Sequence, residues 1–596
     1  MYTSLEQALL DLEKAGMLKR ISREVDPNLE MAAIAREAFK TSNKAILFEK
    51  VKGSPFRAAC NIFGSDERLE FLFRKKMKST TEAVRFKSDP VGFFKRINPA
   101  RWLRVAKAGI ASLPKRSGSI RDFRECSLKD LPQIKCWPED GGAFITLPQV
   151  ATRPAPNSGI LTTNVGMYRI QISGNNYTSD ECGLHYQIGR DIAKHHQAAI
   201  AEERPLKVSV FIGGPPAHTV AAIMPMPESM SELIFAGMLG GRRFRYFIHD
   251  GYIVSSDADF CILGEVATNL KQEGPFGDHI GYYSAKHAFP YIKVKKVLCK
   301  KNAIFPFTVV GRPPQEDTLF GSFIHKITKP MVPASVPGVH AIQAVDDAGV
   351  HSLCLAIASE QECPYQKNRE PMAILKTANA LLGFNQVSLS KYLFLAAKED
   401  NTNLDVNDTQ SFFVHILERV HFERDLHFQT STTIDTLDYT GTKLNHGSKL
   451  VIAAVGEPCR ELHNDENDLK TLNLGEGFSN AKIVMPGVLA IKAKYSANLE
   501  SLKKSLETWK FHGNYPWVSI VDNTEGMNLR DFLWMSFTRS DPAQDVHGLS
   551  EHFENKHWCM EAPLILDARI KPHHQKVLTM PTDIENKAKE VLRGEA

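Results

Sequence analysis

The stretch Glu273-Gly-Pro-Phe-Gly-Asp278-His-Ile-Gly-Tyr-Tyr283 carries the densest signal in the sequence. Its glycines and proline predict a tight turn with a defined backbone, so the carboxylates of Glu273 and Asp278 are held close together. Two neighbouring carboxylates repel each other when both are ionised, which raises one pKa and leaves a proton available for transfer. Taken alone, the stretch is more typical of an acidic surface turn.

The residues around this turn, from about 125 to 310, are predicted to be mostly strands. In Met167–Ile172, apolar side chains alternate with Arg169 and Gln171, as in a strand with two different faces. The apolar residues of Glu181–Ala201 recur every four positions and predict a helix. Many strands, few helices and boundaries of Gly and Pro indicate a β-barrel-like centre. Further strands are predicted at Lys207–Ile212, Phe244–His249 and Tyr291–Leu298.

Both flanks of this central region alternate between helices and strands. Residues 1–115 end in a basic amphipathic stretch, Phe93–Lys107. After residue 311 the chain becomes helical at Met372–Leu382 and then returns to alternating strands and helices. The sequence therefore predicts a mixed α/β (α+β) protein with three domains. They are an N-terminal α/β domain at 1–120, a central split β-barrel at 121–320 and a C-terminal α/β domain at 321–596.

The C-terminal region contains a degenerate internal repeat. Each copy has an apolar strand, a helix that ends in arginine, and an aspartate at the same distance after that arginine. Chance can produce such a match, but duplication explains it better. The predicted units are residues 385–460 and 505–575. The matching residues are Tyr392–Ala397, Arg419 and Asp425 in the first copy and Trp517–Val521, Arg539 and Asp545 in the second.

Arg169 is a candidate for binding a carboxylate. Its guanidinium stays charged and donates two parallel hydrogen bonds, which is the geometry that a substrate carboxylate accepts. The alternative is an ordinary arginine on the surface of a strand, and the position alone does not separate the two.

Asn164, His185 and Glu232 together offer an amide oxygen, an imidazole and a carboxylate. This set suits a hard divalent ion such as Mn²⁺ or Mg²⁺ better than an ion that prefers thiolates. Each residue also has a structural explanation. Asn164 can shape a turn, His185 can be a core residue beside the apolar stripe of its helix, and Glu232 can complete a capping box with Ser229.

Composition argues against several classes of protein. The chain has 596 residues, of which 43% are hydrophobic and 24% charged, as in a globular protein of several domains. A net charge of +5 is small for this length and disfavours a nucleic-acid partner. The ten cysteines show no CxxC pair, so neither a zinc knuckle nor a disulfide framework is predicted. No signal peptide or transmembrane run is recognisable, and a cytoplasmic protein is expected.

Six segments, in order, resemble the UbiD family of decarboxylases, and together they are far more specific than any one of them. The matching segments are Thr163-Asn-Val-Gly-Met-Tyr-Arg-Ile170, Gly183-Leu-His-Tyr-Gln-Ile-Gly-Arg-Asp191, Phe211-Ile-Gly-Gly-Pro-Pro216, Met224-Pro-Met-Pro-Glu-Ser-Met-Ser-Glu232, Glu273–Tyr283 and Thr308-Val-Val-Gly-Arg-Pro-Pro314.

The resemblance implies prenylated FMN bound in the central domain, supplied by a flavin prenyltransferase, together with Mn²⁺ (or Mg²⁺) and a neighbouring K⁺. Loss of CO2 from an sp2 carbon leaves a carbanion that the adjacent π-system cannot stabilise, so an electron sink is needed. Side chains provide none, and a cofactor must. General acid catalysis alone supplies about 10²–10⁴-fold, whereas enzymes reach about 10⁶–10¹⁷-fold.

The resemblance also assigns roles to individual residues. Arg169, Glu273 and Asp278 match the catalytic trio, in which Asp278 protonates the product carbon and the Arg169–Glu273 ion pair orients the flavin. Asn164, His185 and Glu232 match the ligands of a metal that bridges the protein to the cofactor phosphate. The expected K⁺ lies near the carbonyls of Ala222 and Met224.

The C-terminal half departs from the family pattern, in which a lysine opens a strand that ends in acidic residues. The first copy keeps Lys391, assigned here to the cofactor phosphate, but has Ala397 where the first acid is expected. The second copy has Asp522 but Pro516 at the lysine position. The second copy is therefore expected to be a structural or oligomeric addition.

The expected reaction is the reversible, non-oxidative decarboxylation of an aromatic or α,β-unsaturated acid. The extra module resembles long forms associated with menaquinone or ubiquinone biosynthesis, whose substrates are of the polyprenyl-hydroxybenzoate or dihydroxynaphthoate type. A cinnamic-type or heteroaromatic acid, a redox enzyme with plain FMN and an inactive scaffold are the alternatives. The substrate is expected between the central and C-terminal domains, and the chain is expected to form a dimer or hexamer.

Overall fold

The computed structural model describes residues 1–95, 98–187, 190–227, 230–328, 336–361, 369–441 and 443–594. The chain divides into two compact units, Met1–Met331 with Val577–Ala596, and Val332–Lys576. The predicted domain boundaries near residues 120 and 320 stay predictions. None of the helices in the described ranges is both long and apolar enough to cross a membrane.

The first unit contains ten helices before residue 331 in its described part. They are Leu5–Lys14 (α1), Glu30–Thr41 (α2), Asp66–Phe73 (α3), Met77–Ser88 (α4), Pro90–Lys95 (α5), Pro99–Ser112 (α6), Asp191–Ala201 (α7), Pro216–Ala221 (α8), Glu232–Gly240 (α9) and Glu316–Thr328 (α10). The strands are Leu18–Val25 (β1), Ala45–Val51 (β2), Arg57–Cys60 (β3), Lys115–Arg116 (β4), Arg124–Cys126 (β5), Phe144–Ile145 (β6), Pro148–Thr152 (β7), Asn164–Gly166 (β8), Ile170–Gln171 (β9), Glu181–Leu184 (β10), Leu206–Ile212 (β11), Arg245–His249 (β12), Tyr252–Ser255 (β13), Phe260–Glu273 (β14), His287–Cys299 (β15) and Ile304–Pro306 (β16).

A nine-stranded antiparallel sheet forms the centre of the first unit and makes half a barrel. Its order is β6-β9-β10-β15-β14-β11-β7-β8, and β5 pairs with β15. The long β14–β15 hairpin shifts register between Leu263 and Gly264, and again between Val266 and Leu270. Such irregularities bend a strand and increase its twist. The predicted mixed α/β fold with a strand-rich centre is confirmed.

Two sequence-based predictions in this sheet are wrong in detail. The predicted helix over Glu181–Ala201 begins only at Asp191, since Glu181–Leu184 form β10 between β9 and β15. Gly183 disfavours a helix there, and buried Cys182 pairs with Ile292 of β15. The strand predicted over Met167–Ile172 is confined to Ile170–Gln171, because residues 167–169 form the connection from β8.

A second sheet of the first unit, β1-β2-β3-β16, carries α1 and α2. Ser4 caps α1, whose apolar face of Leu5, Leu9 and Leu12 is buried. The C-terminal helix Thr582–Arg593 packs its buried Ala588 and Val591 into the same core as α2. A third, smaller sheet has the order β13-β12-β4.

The second unit contains two five-stranded sheets with the same plan. The first has the order β17-β18-β19-β21-β20 and the second β22-β23-β24-β26-β25, and in both the three inner strands are parallel. The strands are Val339–Ala344 (β17), Leu353–Ala358 (β18), Tyr392–Ala397 (β19), Leu426–Thr433 (β20), His446–Ala454 (β21), Phe478–Met485 (β22), Val488–Ala493 (β23), Trp517–Val521 (β24), Val546–Glu554 (β25) and His557–Asp567 (β26). The helices are Ala373–Leu382 (α11), Thr409–Arg419 (α12), Glu466–Leu469 (α13), Leu499–Glu507 (α14), Leu529–Thr538 (α15) and Pro542–Asp545 (α16).

The shared strand order confirms the internal repeat, and the recurring aspartate has a structural role in both copies. The carboxylate of Asp425 accepts a hydrogen bond from the backbone N–H of His421, at 2.8 Å. Asp545 accepts the corresponding bond from Asp541 N–H, at 2.6 Å. The equal spacing from arginine to aspartate in the two copies therefore arises from a turn that precedes the fourth strand of each copy.

Candidate active site

Arg169 joins the two carboxylates of the glycine-rich turn. Its Nε and Nη2 donate to the two oxygens of Glu273, each at 2.8 Å. Its Nη1 donates to Asp278 Oδ2 at 2.5 Å. Nη2 also donates to Ser284 Oγ at 3.1 Å, and the guanidinium lies 4.7 Å from the ring centre of Phe276. The structure thus brings together the three residues predicted to be catalytic.

This cluster is almost completely shielded from solvent. Glu273 is 0% exposed and Asp278 6%. Charge-assisted, bidentate hydrogen bonds are strongest when water is excluded. The guanidinium of Arg169 donates to two protein carboxylates and a hydroxyl. Arg169 therefore forms an ion pair that positions Glu273 and Asp278, rather than binding the carboxylate of a substrate.

Trp137 leaves no space for a side chain at Gly277. A Cβ added to Gly277 would lie 2.0 Å from Cδ1 of Trp137. The N–H of Gly277 donates to Asp140 Oδ1 at 2.7 Å, and burial raises the pKa of Asp140 to about 7. Asp140 therefore fixes the position of the residue that precedes Asp278. It has no distinctive sequence context, and sequence reasoning missed it.

Asp278 is held in its ionised form. Burial favours the neutral acid, but the hydrogen bond from His279 and the charge of Arg169 outweigh it, and the pKa of Asp278 lies below its ordinary value. Oδ1 of Asp278 is 3.0 Å from His279 Nδ1 and accepts from His279 N–H at 2.7 Å. The raised pKa expected for one carboxylate of this turn is therefore not found at Asp278, which must receive a proton before it can donate one.

The three predicted metal ligands come from three separate elements. Asn164 begins β8, Glu232 begins α9 and His185 follows β10. Glu232 Oε2 accepts a hydrogen bond from Val165 N–H at 2.7 Å, which joins α9 to β8 beside Asn164. The predicted capping box falls on Ser229, which lies outside the described residues, and α9 is capped by Ser231 instead.

His185 connects this group to the arginine cluster. Its backbone N–H donates to Arg169 O at 3.2 Å, and its ring stacks on Phe289 at 4.3 Å. Burial lowers the pKa of His185 well below its ordinary value, so the imidazole is neutral and suited to a metal. Burial also raises the pKa of Glu232 to about 7.

Several buried polar atoms of this region have no hydrogen-bond partner among the described residues. They are Oγ1 of Thr163, Nδ2 of Asn164 and Nε2 of His185. Buried polar groups are nearly always satisfied, so each such atom needs an explanation. A bound cation would be the partner of Nε2 of His185, and the phosphate or polar edge of a cofactor would accept hydrogen bonds from Nδ2 of Asn164 and the hydroxyl of Thr163. The residues present therefore fit the group that the sequence predicts.

A second donor set overlaps the first. His185, Glu273 and His287 each bring one ligand atom within 4.8 Å of the others. His287 begins β15 directly opposite Glu273, which ends β14. Nε2 of His287 is buried and has no hydrogen-bond partner among the described residues. Neither His287 nor Ser284 was found from the sequence, because each acts through cross-strand or turn contacts that leave no motif.

Lys391, Ala222 and Met224 were also predicted to contact the cofactor phosphate or a K⁺. Lys391, just before β19 in the second unit, is 1% exposed and lies 2.7 Å from Asp438 Oδ2. Its role at a phosphate stays a prediction. The carbonyl of Ala222 accepts from Met167 N–H at 3.0 Å, and that of Met224 from Met226 N–H at 2.8 Å. A carbonyl keeps a second lone pair, so these contacts are compatible with the predicted K⁺.

Sequence comparison matches three domain families to this chain. They are the N-terminal domain, the Rift-related domain and the C-terminal domain of 3-octaprenyl-4-hydroxybenzoate carboxy-lyase, at residues 9–86, 113–313 and 318–454. An uncharacterised protein of Chlamydia trachomatis is 34% identical over 567 residues, which cover 93% of this chain and 92% of the relative. The chain belongs to the UbiD family. A 4-hydroxybenzoate decarboxylase subunit from Chlamydia pneumoniae is 33% identical, with 95% of this chain and 94% of the relative covered.

Solved structures share the fold of this UbiD protein. Vanillic acid decarboxylase of Sedimentibacter hydroxybenzoicus, in its closed form, matches with a TM-score of 0.63 and 22% identity over 79% of this chain and 98% of that chain. The UbiD-class enzyme HmfF of Pelotomaculum thermopropionicum, in complex with FMN, matches with a TM-score of 0.58 and 20% identity over 78% and 97%. UbiD proteins are carboxy-lyases, and this chain is an enzyme of that class.

Proposed function

We propose that this UbiD protein decarboxylates an aromatic or α,β-unsaturated acid with prenylated FMN. The observation that carries the proposal is the buried cluster in which Arg169 holds Glu273 and Asp278, beside unsatisfied polar atoms of Asn164 and His185. An ion pair with no solvent exposure at Glu273 would be costly to bury for structural purposes alone. The energetic cost of burying this ion pair is explained if the cluster takes part in catalysis.

When bound, prenylated FMN would supply the electron sink that side chains lack. Loss of CO2 from a carboxylate and its replacement by hydrogen consumes one proton. Asp278, ionised at neutral pH, accepts that proton and delivers it to the carbon from which CO2 has left. Arg169 keeps Oδ2 of Asp278 in place through Nη1. Glu273 fixes Arg169 from the opposite side through two hydrogen bonds.

Asn164, His185 and Glu232 would hold a divalent metal next to the cofactor phosphate. An amide, a neutral imidazole and a carboxylate suit Mn²⁺. The hydrogen bond that Val165 N–H donates to Oε2 of Glu232 fixes the orientation of this carboxylate. The flavin is supported by family membership and by solved relatives, one of which is HmfF in complex with FMN. The metal is supported by the donor chemistry of Asn164, His185 and Glu232.

For the substrate, we propose an acid of the 4-hydroxy-3-polyprenylbenzoate or dihydroxynaphthoate type from ubiquinone or menaquinone biosynthesis. The family description and the name of the Chlamydia pneumoniae relative support a hydroxybenzoate-type acid. A cinnamic-type or heteroaromatic acid remains the alternative within the same chemistry. A homo-oligomer (dimer or hexamer) is part of the proposal, and HmfF has been solved in an evolved dimeric form.

The experiment that tests the cofactor assignment is co-expression of the chain with a flavin prenyltransferase, followed by mass analysis of the released flavin and of bound metals. We expect prenylated FMN together with manganese. Plain FMN alone, in preparations whose prenyltransferase is active, would favour the oxidoreductase alternative. Absence of any flavin would contradict the proposal.

Two variants in the same experiment separate the two metal donor sets. Glu232→Ala is expected to lose metal and flavin together, because Glu232 would hold the metal that helps to retain the flavin. His287→Ala is the matched control, since it removes a ligand only from the set of His185, Glu273 and His287. Retention of metal in Glu232→Ala and its loss in His287→Ala would place the ion in the second set.

A further inference from the structure

The segment from Pro90 to Ser117, called here the basic segment, has an unusual composition. It contains seven lysines and arginines and no aspartate or glutamate. Most of it lies between the first two matched domains, which end at residue 86 and begin at residue 113. The proposed decarboxylase mechanism uses none of these residues. Their pattern therefore calls for an explanation of its own.

The basic segment also exposes large apolar side chains. Val91 and Ile110 are each 66% exposed, Phe94 57%, Leu103 55% and Leu113 50%. Five of the sixteen exposed large apolar residues among the described residues lie in these 28 positions. Scattered exposed apolar residues need no explanation, but a cluster marks a surface that contacts something apolar.

Packing of α6 fixes which face points outward. Ala108 and Ala111 are buried, and α6 lies so close to α9 that a Cβ on Gly237 would be 2.1 Å from the carbonyl oxygen of Ala111. Leu103, Lys107 and Ile110 follow the helical spacing of a single face and are all exposed. The outer face of α6 is therefore held rigidly and combines apolar side chains with a cation.

Aromatic residues continue this surface onto α5. The ring centres of Phe94 and Trp102 are 4.8 Å apart, and Phe86 and Phe93 complete the cluster. Exposed phenylalanine and leucine together with lysine and a neighbouring tryptophan are typical of helices that lie at the surface of a lipid bilayer. Tryptophan prefers the headgroup level.

The charges of the basic segment are only partly compensated. Glu82 of α4 pairs with Arg101 and lies 3.6 Å from Arg104. Lys107, Lys115 and Arg116 are exposed at the other end of the segment. Arg243 adds a further cation there, since its Nε donates to Leu113 O at 2.7 Å.

These observations favour one kind of partner. A second copy of this chain would bring two positive surfaces together, which is unfavourable. A nucleic acid would be attracted by the cations but has little use for five exposed apolar side chains. An anionic bilayer offers both phosphate groups for the cations and an acyl boundary for the apolar side chains.

We propose that the basic segment is a docking surface for anionic lipid bilayers. The outer face of α6 and the exposed Phe94 of α5 insert to the headgroup boundary, while Lys107, Lys115 and Arg116 contact lipid phosphates. Docking of this kind is peripheral and requires no spanning helix. The inference goes beyond the decarboxylase function and does not depend on the substrate.

The test is sedimentation of the full-length chain with vesicles of pure phosphatidylcholine and of phosphatidylcholine mixed with phosphatidylglycerol. We expect at least tenfold tighter binding to the anionic vesicles, and weaker binding as salt is raised. Lys107→Gln and Lys115→Gln should each weaken binding about fivefold. Leu103→Ser combined with Ile110→Ser should weaken it more than tenfold.

Phe553→Ser is the matched control. Phe553 is 74% exposed on β25 of the second unit but is followed by the acidic Glu554, so this variant should bind vesicles like the unmodified chain. Equal binding to both vesicle types, or no binding, would overturn the proposal. So would a change of oligomeric mass in the Leu103/Ile110 variant with unchanged vesicle binding, or tighter binding to DNA than to anionic vesicles. Failure here leaves the decarboxylase proposal intact, since turnover is not measured.

Discussion

Asp278→Asn is expected to lower the rate of decarboxylation by about 10²–10⁴-fold. The asparagine keeps an oxygen that can accept the hydrogen bond from Arg169 Nη1, so the cluster should remain assembled. It cannot take up and deliver the proton that the reaction consumes. Single-turnover rates of CO2 release, measured with the flavin loaded, would report the loss directly. Flavin content should stay close to that of the unmodified enzyme.

Glu181→Gln is the matched control for this prediction. Glu181 begins β10 in the same sheet and pairs with Lys271 at 2.5 Å, but it does not belong to the Arg169 cluster. Its substitution should leave the rate within a few-fold of the original. An Asp278→Asn enzyme that turns over as fast as this control would remove Asp278 from the mechanism.

Arg169→Leu is expected to destabilise the protein by about 3–5 kcal/mol at neutral pH. Glu273 and Asp278, at 0% and 6% exposure, would remain buried without their cation. Breaking a buried ion pair from one side leaves an uncompensated charge, which costs more than the pair contributed. Denaturant unfolding followed by fluorescence would measure the change in midpoint.

The pH dependence of this variant has a definite sign. In the unmodified protein the lowered pKa of Asp278 adds stability that is present above its unfolded pKa, about 3.9, and is lost as pH falls through the lower folded value. Without the charge of Arg169, the buried Asp278 should take up a proton at higher pH. The difference in stability between the two proteins should therefore narrow as pH is lowered from 7 towards 5.

Arg242→Leu offers a control with similar chemistry. Arg242 pairs with the buried Asp257 at 2.8 Å, but Arg245 lies 3.3 Å from the same carboxylate. Because Asp257 keeps a partner, the loss of stability should be clearly smaller than for Arg169→Leu. Equal losses in both variants would mean that the Arg169 cluster is an ordinary structural ion pair.

The sequence predicted those parts of the site that carry a local signal. Arg169, Glu273 and Asp278 were assigned together through the resemblance to the UbiD motifs, since each alone is also typical of a surface residue, and the structure brings them together. The repeat was recognisable because the aspartates at 425 and 545 serve the same turn in both copies. Local structural constraints of this kind produce a residue spacing that is visible in a single sequence.

Other parts of the site depend on contacts between distant residues and were not predictable. Asp140 supports the turn through Gly277, 137 positions away. His287 reaches the site only because β15 pairs with β14 in one particular register. The helix predicted from residue 181 failed because the pairing of β10 with its neighbours outweighs a four-residue apolar period.

The central claim, that this UbiD protein decarboxylates an aromatic or unsaturated acid, is tested most directly by release of labelled CO2. The flavin-loaded enzyme would be given acids labelled at the carboxyl carbon, with hydroxybenzoate, dihydroxynaphthoate, cinnamate and furoate types each represented. We predict labelled CO2 and the matching decarboxylated product from the hydroxybenzoate or dihydroxynaphthoate type, and none with Asp278→Asn. No release from any of these acids by enzyme that carries prenylated FMN and manganese would contradict the account.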